Sequence, residues 1–222
     1  MFVSINMACS IDGKIATPRR GPVKLGSDYD SRRMAEIRAD HDAVVMGGST
    51  YRAHPFALRV DDEALVRARL ARGKPAHPIT VVVSRRLAFP ATSPLARDRE
   101  VERWMMTGAR PSNVARWEKA GVLVKRARAV TPERILRELG RGGAEKVLLE
   151  GGGELNALFL EKDLVDRIHL TVCPLVLGGA DSPTIFGGRG FTLAKAPRFR
   201  LTESRPVGDE IYLTYDRLNR SR

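Results

Sequence analysis

Short apolar runs rich in β-branched residues recur along the chain, separated by stretches in which apolar side chains fall three and four positions apart. The runs Phe2 to Met7, Ala43 to Met46, Ile79 to Val83, Val122 to Val124, Lys146 to Leu149 and Ile168 to Leu177 predict strands. The stretches between them predict helices. Ser27 can cap one that reaches about Ala39, with Asp30 three positions on and Met34 and Ile37 turned inward. Asp61 and Asp62 open another, through Leu65 and Leu70 to Gly73. Thr131 followed by Pro132 is an N-cap with proline at the first helical position, and Ile135, Leu136 and Leu139 lie on one face. After Glu154, the residues Leu155, Leu158 and Phe159 form a further stripe. Alternation of this kind predicts an α/β architecture with a mostly parallel sheet. The runs Phe199 to Leu201 and Ile211 to Tyr215 follow a Gly/Pro-rich stretch and predict antiparallel strands added at the end. No repeat or linker divides the chain, so one domain over residues 1–222 is expected.

Composition narrows the class. Hydrophobic residues make up 43% and charged ones 29%, the mixture of a globular chain rather than a disordered one. The two cysteines, Cys9 and Cys173, stand far apart, which disfavours a disulfide framework or a structural zinc and fits a reducing cytoplasm. No apolar run approaches the roughly 20 residues that span a bilayer, and the start lacks a cationic flank and an apolar signal core. A cytoplasmic protein without membrane or metal partners is expected.

The net charge of +12 is the unusual quantity, and 30 of the 38 basic residues are arginine. A uniform codon bias is one cause. A nucleic-acid surface is a second, but it calls for clustered cations with interleaved aromatics, whereas aromatics are 6% and the clusters are no larger than pairs such as Arg19-Arg20, Arg32-Arg33 and Arg85-Arg86. A pocket for small polyanions is the third.

Two strand-to-helix junctions carry glycine: Gly47-Gly48-Ser49-Thr50 after Val44 to Met46, and Gly151-Gly152-Gly153-Glu154-Leu155-Asn156 after Val147 to Glu150. Glycine permits close backbone approach there, and the unpaired N–H groups of a following helix suit phosphate. An ordinary turn explains either junction taken alone. Neither matches G-x-G-x-x-G or a P-loop, so a phosphorylated cofactor held by another fold is preferred. The run Thr80 to Val83 ends in Ser84-Arg85-Arg86, a hydroxyl and two guanidiniums suited to the 2′-phosphate of an adenosine ribose, or a solvated turn. Asn6 inside an apolar strand needs hydrogen-bond partners that a ligand ring can supply, and Asp12-Gly13 reads as a turn. The histidines form no ligand cluster and no serine sits in a G-x-S-x-G elbow.

Together these blocks carry a resemblance. ACSIDGKIA (Ala8 to Ala16), SDYDSRRMAEIRADHDAVVMGGST (Ser27 to Thr50), VVVSR (Val81 to Arg85), LLEGGGELNALFL (Leu148 to Leu160) and CPLVLGGADSPT (Cys173 to Thr184) resemble, in order, the reductase domain of riboflavin biosynthesis. The fold of that domain is similar to that of dihydrofolate reductase, which implies a three-layer α/β/α arrangement with antiparallel C-terminal strands. The resemblance implies an NADPH-dependent reductase acting on a 5-phosphoribosylaminopyrimidine, either the uracil or its 2,5-diamino analogue, and a homodimer. Dihydrofolate or another pterin is the alternative substrate on the same scaffold, and a basic nucleic-acid-binding module is the alternative of another class.

Carried over by position, Gly47, Gly48, Thr50, Ser84, Arg85 and the run Gly151, Gly152, Gly153, Glu154 and Leu155 are expected at NADPH. Arg38, Arg59 and Glu150 are expected at the substrate, and Asn6 and Asp12 are expected to line the catalytic pocket with Glu150. The chain departs from bifunctional relatives, which carry a tryptophan near Lys24-Leu25 and D-D-P where Ala53-His54-Pro55 stands here. It also lacks the H-x-E and P-C-x-x-C of the zinc deaminase, so it resembles a stand-alone reductase.

Overall fold

A computed structural model of the protein describes residues 1–21 and 23–218. Pro22 and residues 219–222 of the expected domain lie outside the described residues. Contacts gather the chain into two compact units, one of Met1 with Arg32–Leu148 and one of Phe2–Ser31 with the residues from Leu149 onward. The fold is mixed α/β, with mostly parallel strands and antiparallel strands at the C-terminal end.

In the first unit the strands are β2 (Ala43–Gly47), β3 (Ile79–Val83), β4 (Arg103–Thr107), β5 (Leu123–Arg126) and β6 (Lys146–Leu149), in the spatial order β5-β4-β3-β2-β6. Each of the pairs β2–β3, β3–β4 and β4–β5 is parallel. Parallel strands covered on both faces read as unbroken apolar runs, and Val44, Val45, Met46, Val81 and Val82 are fully buried. The helices are α1 (Asp28–Asp40, which begins in the other unit), α2 (Gly48–Ala53), α3 (Glu63–Ala71), α4 (Pro94–Arg97), α5 (Pro111–Lys119) and α6 (Pro132–Arg141). Thr131 caps α6 as expected, its side chain accepting from the Arg134 N–H. Trp117, Tyr51, Phe89, Leu95 and Met105 belong to one core cluster.

The sequence pattern did not predict β4 or α5. β4 reads Arg-Trp-Met-Met-Thr, with no β-branched apolar residue and an arginine at its head, yet all its residues are buried. Arg103 is tolerated because its guanidinium donates to Ala96 O (2.7 Å), Gly121 O (3.1 Å) and Val101 O (3.1 Å). Helix α3 makes the same exchange: Arg69 is 1% exposed while Leu70 beside it is 54% exposed. Arg69 donates to Ala39 O (2.8 Å), His41 O (2.7 Å) and Pro75 O (2.9 Å), carbonyls that close α1 and lead into β2 and β3.

The second unit holds β1 (Phe2–Ser10), α7 (Gly153–Glu161), β7 (Arg167–Cys173), β8 (Phe199–Val207) and β9 (Glu210–Arg217), with the strands ordered β1-β7-β9-β8. β1 and β7 are parallel, and β7–β9 and β9–β8 are antiparallel. β7 stops at Cys173, short of the expected Leu177, because Pro174 has no N–H to continue the ladder. β8 runs past the expected Leu201 and carries Pro206, which an edge strand tolerates. In α7, Leu155 and Phe159 are buried as expected but Leu158 is 46% exposed, its place on the inner face taken by Asn156 and Leu160. At the start of α1, Ser27 donates from its N–H and Oγ to the Glu210 carboxylate (2.7 and 2.6 Å), and Tyr212 donates to it as well. Burial alone would raise the pKa of Glu210; the bonds from the Ser27 hydroxyl, Tyr212 and the Ser27 N–H outweigh it and leave it lowered. Asp30 does not reach back to complete a capping box, since its carboxylate accepts from Thr171 Oγ1 (2.7 Å).

Arg69→Met should lower stability by about 3 kcal/mol, because buried carbonyls lose their donors. Arg67→Met on the same helix, whose Glu63 pair is exposed, should change it by less than about 0.5 kcal/mol. Urea unfolding midpoints at unchanged slope measure both.

Candidate active site

In each unit most of the candidate residues lie at or just after the C-terminal ends of strands, where α/β sheets commonly meet ligands; Asn6, Arg38 and Arg59 do not. In the first unit β2 ends at Gly47 and β3 at Val83. A Cβ on Gly48 would stand 3.3 Å from Ser84 Oγ and 3.1 Å from Phe89 Cζ, so glycine is what lets the two loops approach. Ser84 Oγ accepts from the Leu87 N–H (3.2 Å), folding Ser84-Arg85-Arg86-Leu87 into a turn whose two guanidiniums are exposed. Neither Arg85 nor Arg86 has a carboxylate partner among the described residues. Thr50 is half-buried one turn into the helix after Gly47. The structure thus brings Gly47, Gly48 and Ser84 together, with Arg85 beside them.

The arginines expected at a substrate phosphate are differently engaged. Arg38 is 7% exposed and donates from Nη1 to Arg59 O (3.0 Å). Arg59 forms a two-point bond with Asp98 (both 2.8 Å) and reaches Glu100. The bonds to Asp98 come first in pushing its pKa up. Arg59, Asp61 and Asp98, with Phe56, Ala57 and Pro94, line a cleft of about 250 Å³. A phosphate reaching Arg59 has to displace carboxylates that already match its fork.

In the second unit, Asn6 lies mid-β1, half-buried and in register with His169 of β7. Its side-chain amide has no hydrogen-bond partner among the described residues. His169 Nδ1 is 3.3 Å from Thr214 Oγ1, which donates to Glu203 (3.0 Å), so the ring donates through Nδ1 to the threonine oxygen. Asp12 follows the end of β1. Its carboxylate accepts from Ser10 Oγ (2.7 Å), Leu177 N–H (3.1 Å) and Gly178 N–H (2.8 Å). These bonds, that from Ser10 first, hold its pKa at about 2. The turn is sewn to the same segment by Ile11 N–H to Leu175 O and Ile15 N–H to Pro183 O (2.9 Å each). Asp12 is therefore a clasp between two loops, with both oxygens engaged.

Glu150 is the first residue after β6, and the glycine run follows it. Gly151 has φ +79° and is joined to Gly152 by a cis peptide bond. The start of α7 is covered by a later loop: a Cβ on Gly153 would lie 2.3 Å from Thr184 O, and the Gly187 N–H donates to Gly153 O (3.0 Å). The Glu154 side chain lies against Gly187, and Gly153 and Leu155 are buried. Gly152, half-buried, is the glycine of the run left most open to a ligand. Asn156 donates to Ile185 O (3.0 Å) and strengthens this cover. Neither the 184–187 cover nor the clasp to 177–178 was visible in the sequence, because both join residues far apart along it.

Gly153→Ala should cost about 2 kcal/mol, since the added methyl meets backbone rather than a side chain that can turn away; thermal unfolding measures it. Asp12 has a lowered pKa, so its clasp contributes fully above the ordinary carboxylate range near 4 and is lost as pH falls through about 2. The protection of the Leu177 and Gly178 amides, measured as exchange relative to the intrinsic rate at each pH, should fall over that window, and Asp12→Asn should lower it already at neutral pH.

The model of the RibD C-terminal domain family matches residues 1–213. The chain is 32% identical over 192 residues to the 2,5-diamino-6-ribosylamino-4(3H)-pyrimidinone 5′-phosphate reductase of Archaeoglobus fulgidus, covering 86% of this chain and 88% of that protein. It is also 32% identical over 220 residues to the protein of the same name from Methanothermobacter thermautotrophicus, covering 96% and 97%. A solved structure of a pyrimidine reductase-like protein from Corynebacterium diphtheriae shares the fold, with a TM-score of 0.86 at 22% identity over 99% of this chain and 92% of that one. By a family match over nearly its whole length, and relatives similar from end to end, the chain belongs to the RibD C-terminal domain family.

Proposed function

We propose that this protein is an NADPH-dependent reductase of riboflavin biosynthesis, acting as one domain on 2,5-diamino-6-ribosylamino-4(3H)-pyrimidinone 5′-phosphate and reducing its ribosyl group to a ribityl group. The observation that carries this reading is the 32% identity to reductases named for that substrate, over nearly their full length. The residues present fit a dinucleotide bearing a 2′-phosphate. Ser84 and Arg85 offer a hydroxyl and an exposed guanidinium with no carboxylate partner among the described residues, against a Gly48 that leaves room for close approach. Gly47 and Thr50 complete that loop, and Gly151 to Leu155 take the pyrophosphate, mainly through the open Gly152.

When bound, the reduced nicotinamide supplies a hydride. The acceptor is C1′ of the substrate's ring-opened imine, whose nitrogen gains a proton from solvent. That C=N bond accepts hydride readily, so the protein's task is orientation rather than strong acid catalysis. The Asn6 amide, without a hydrogen-bond partner among the described residues, and the Glu150 carboxylate orient the pyrimidine and ribose, while Asp12 holds the loops around them. Arg38 and Arg59 are the proposed contacts of the substrate phosphate, Arg59 by exchanging Asp98 and Glu100 for it. A homodimer is part of the proposal, supported by exposed apolar side chains on the closing strands, Leu201 and Ile211. A reducing, cytoplasmic setting is supported by Cys9 and Cys173, both free and buried; burial is the main cause that pushes the Cys173 thiol up to about 12.

Purified protein with NADPH should oxidise the nicotinamide in the presence of the 2,5-diamino substrate and give a product two mass units heavier (about 2 Da, one hydride and one proton). The uracil analogue should turn over more slowly and dihydrofolate not at all; turnover of dihydrofolate alone would overturn the reading. NADPH should bind at least about tenfold more tightly than NADH, and Ser84→Ala with Arg85→Ala should abolish the difference.

A further inference from the structure

We infer that Arg52 is a further specificity-determining residue, which grips the ribose phosphate of the dinucleotide together with Ser84 and Arg85; this rests on the cofactor reading above. Arg52 stands four residues after Gly48 on α2, so the two share a face, and a helical side chain leans toward the preceding turn. Its guanidinium lies over the Phe89 ring, 5.4 Å from the centroid. The same ring packs against Gly48, where an added Cβ would meet Phe89 Cζ at 3.1 Å and Ser84 Oγ at 3.3 Å. Arg52, Phe89, Gly48 and Ser84 are therefore one cluster.

The platform is fixed. Phe89 is buried and packs edge-on against Tyr51 (centroids 4.8 Å apart), whose hydroxyl is hydrogen-bonded to Ser93. A guanidinium laid over an aromatic face keeps the N–H groups of its edge available, which is the geometry that matches two phosphate oxygens. Stacking also removes part of the rotamer freedom that a solvated arginine would lose on binding. Arg52 is exposed, and among the described residues it has no carboxylate partner, in contrast to Arg59 with Asp98 and Glu100. The cluster thus adds the Arg52 guanidinium, laid over Phe89, to the exposed Arg85 and Arg86 of the turn that Ser84 opens. The 2′-phosphate on the adenosine ribose is what distinguishes NADPH from NADH, so cations that act only on that group change selectivity rather than affinity for both.

Calorimetric titration of the whole protein with NADPH, NADH, 2′,5′-ADP and 5′-AMP separates these effects without turnover. Arg52→Leu should weaken NADPH and 2′,5′-ADP about tenfold and leave NADH and 5′-AMP within about twofold. Arg52→Lys should fall between, because an ammonium lacks the fork. Phe89→Leu should weaken the two 2′-phosphorylated ligands, NADPH and 2′,5′-ADP, in the same direction but less, and the exposed Arg67→Leu should change none. Equal weakening of NADPH and NADH by Arg52→Leu, or no effect, overturns the assignment of Arg52. If Ser84→Ala and Arg85→Ala lose the preference while Arg52→Leu keeps it, only Arg52 is wrongly assigned. Wild-type protein that binds NADPH and NADH equally overturns both the assignment and the cofactor reading.

Discussion

A carbonyl oxygen buried where a helix or loop gives way to a strand must still accept a hydrogen bond, and in the first unit arginine side chains meet that requirement. Arg69 serves carbonyls at Ala39, His41 and Pro75, and Arg103 serves Ala96, Val101 and Gly121. His41 precedes β2, Pro75 precedes β3, Val101 precedes β4 and Gly121 precedes β5. Two guanidiniums thus pin the entrances of neighbouring parallel strands. Their opposite ends carry the candidate loops at Gly47 to Thr50 and Ser84 to Arg86. A scaffold tied at one end of its strands can present short, glycine-bearing loops at the other without losing register.

In the second unit carboxylates gather N–H groups, as Asp42 does for Glu145 and Lys146 in the first. Asp12 takes those of Leu177 and Gly178, Glu210 takes that of Ser27, and Asp166 takes that of Val3 (2.8 Å). Each joins segments remote in sequence, and each is stronger for being charged. Here the strands after β1 are antiparallel to one another, and loops rather than crossover helices have to be held.

This division changes what the +12 charge means. Part of the arginine excess is structural, neutralised not by acids but by carbonyl dipoles inside the fold, as at Arg69 and Arg103. Another part is matched in ion pairs, as at Arg59 with Asp98 and Arg167 with Asp216. Arg52, Arg85 and Arg86 have neither role among the described residues; Arg52 lies over the Phe89 ring that packs against Gly48, and Arg85 and Arg86 follow Ser84 in an exposed turn. Local excess of charge, rather than the total, is what marks a site for a small anion.

Local pattern was enough for what depends on neighbours along the sequence. The β-branched runs foretold β2, β3 and β6, and Thr131-Pro132 foretold the start of α6. Burial of a charged or polar group depends instead on partners that arrive from elsewhere. Tertiary structure therefore decided that Arg103 heads a buried strand, that Arg69 faces inward while Leu70 faces out, and that Leu158 leaves the inner face of α7. It decided equally that Asp12 is a clasp to residues 177–178, that Arg59 is held by Asp98, and that Arg52 rests on Phe89. Hydrophobic periodicity is encoded over a few residues, whereas the donor or acceptor that makes a buried charge tolerable is fixed only when distant segments meet.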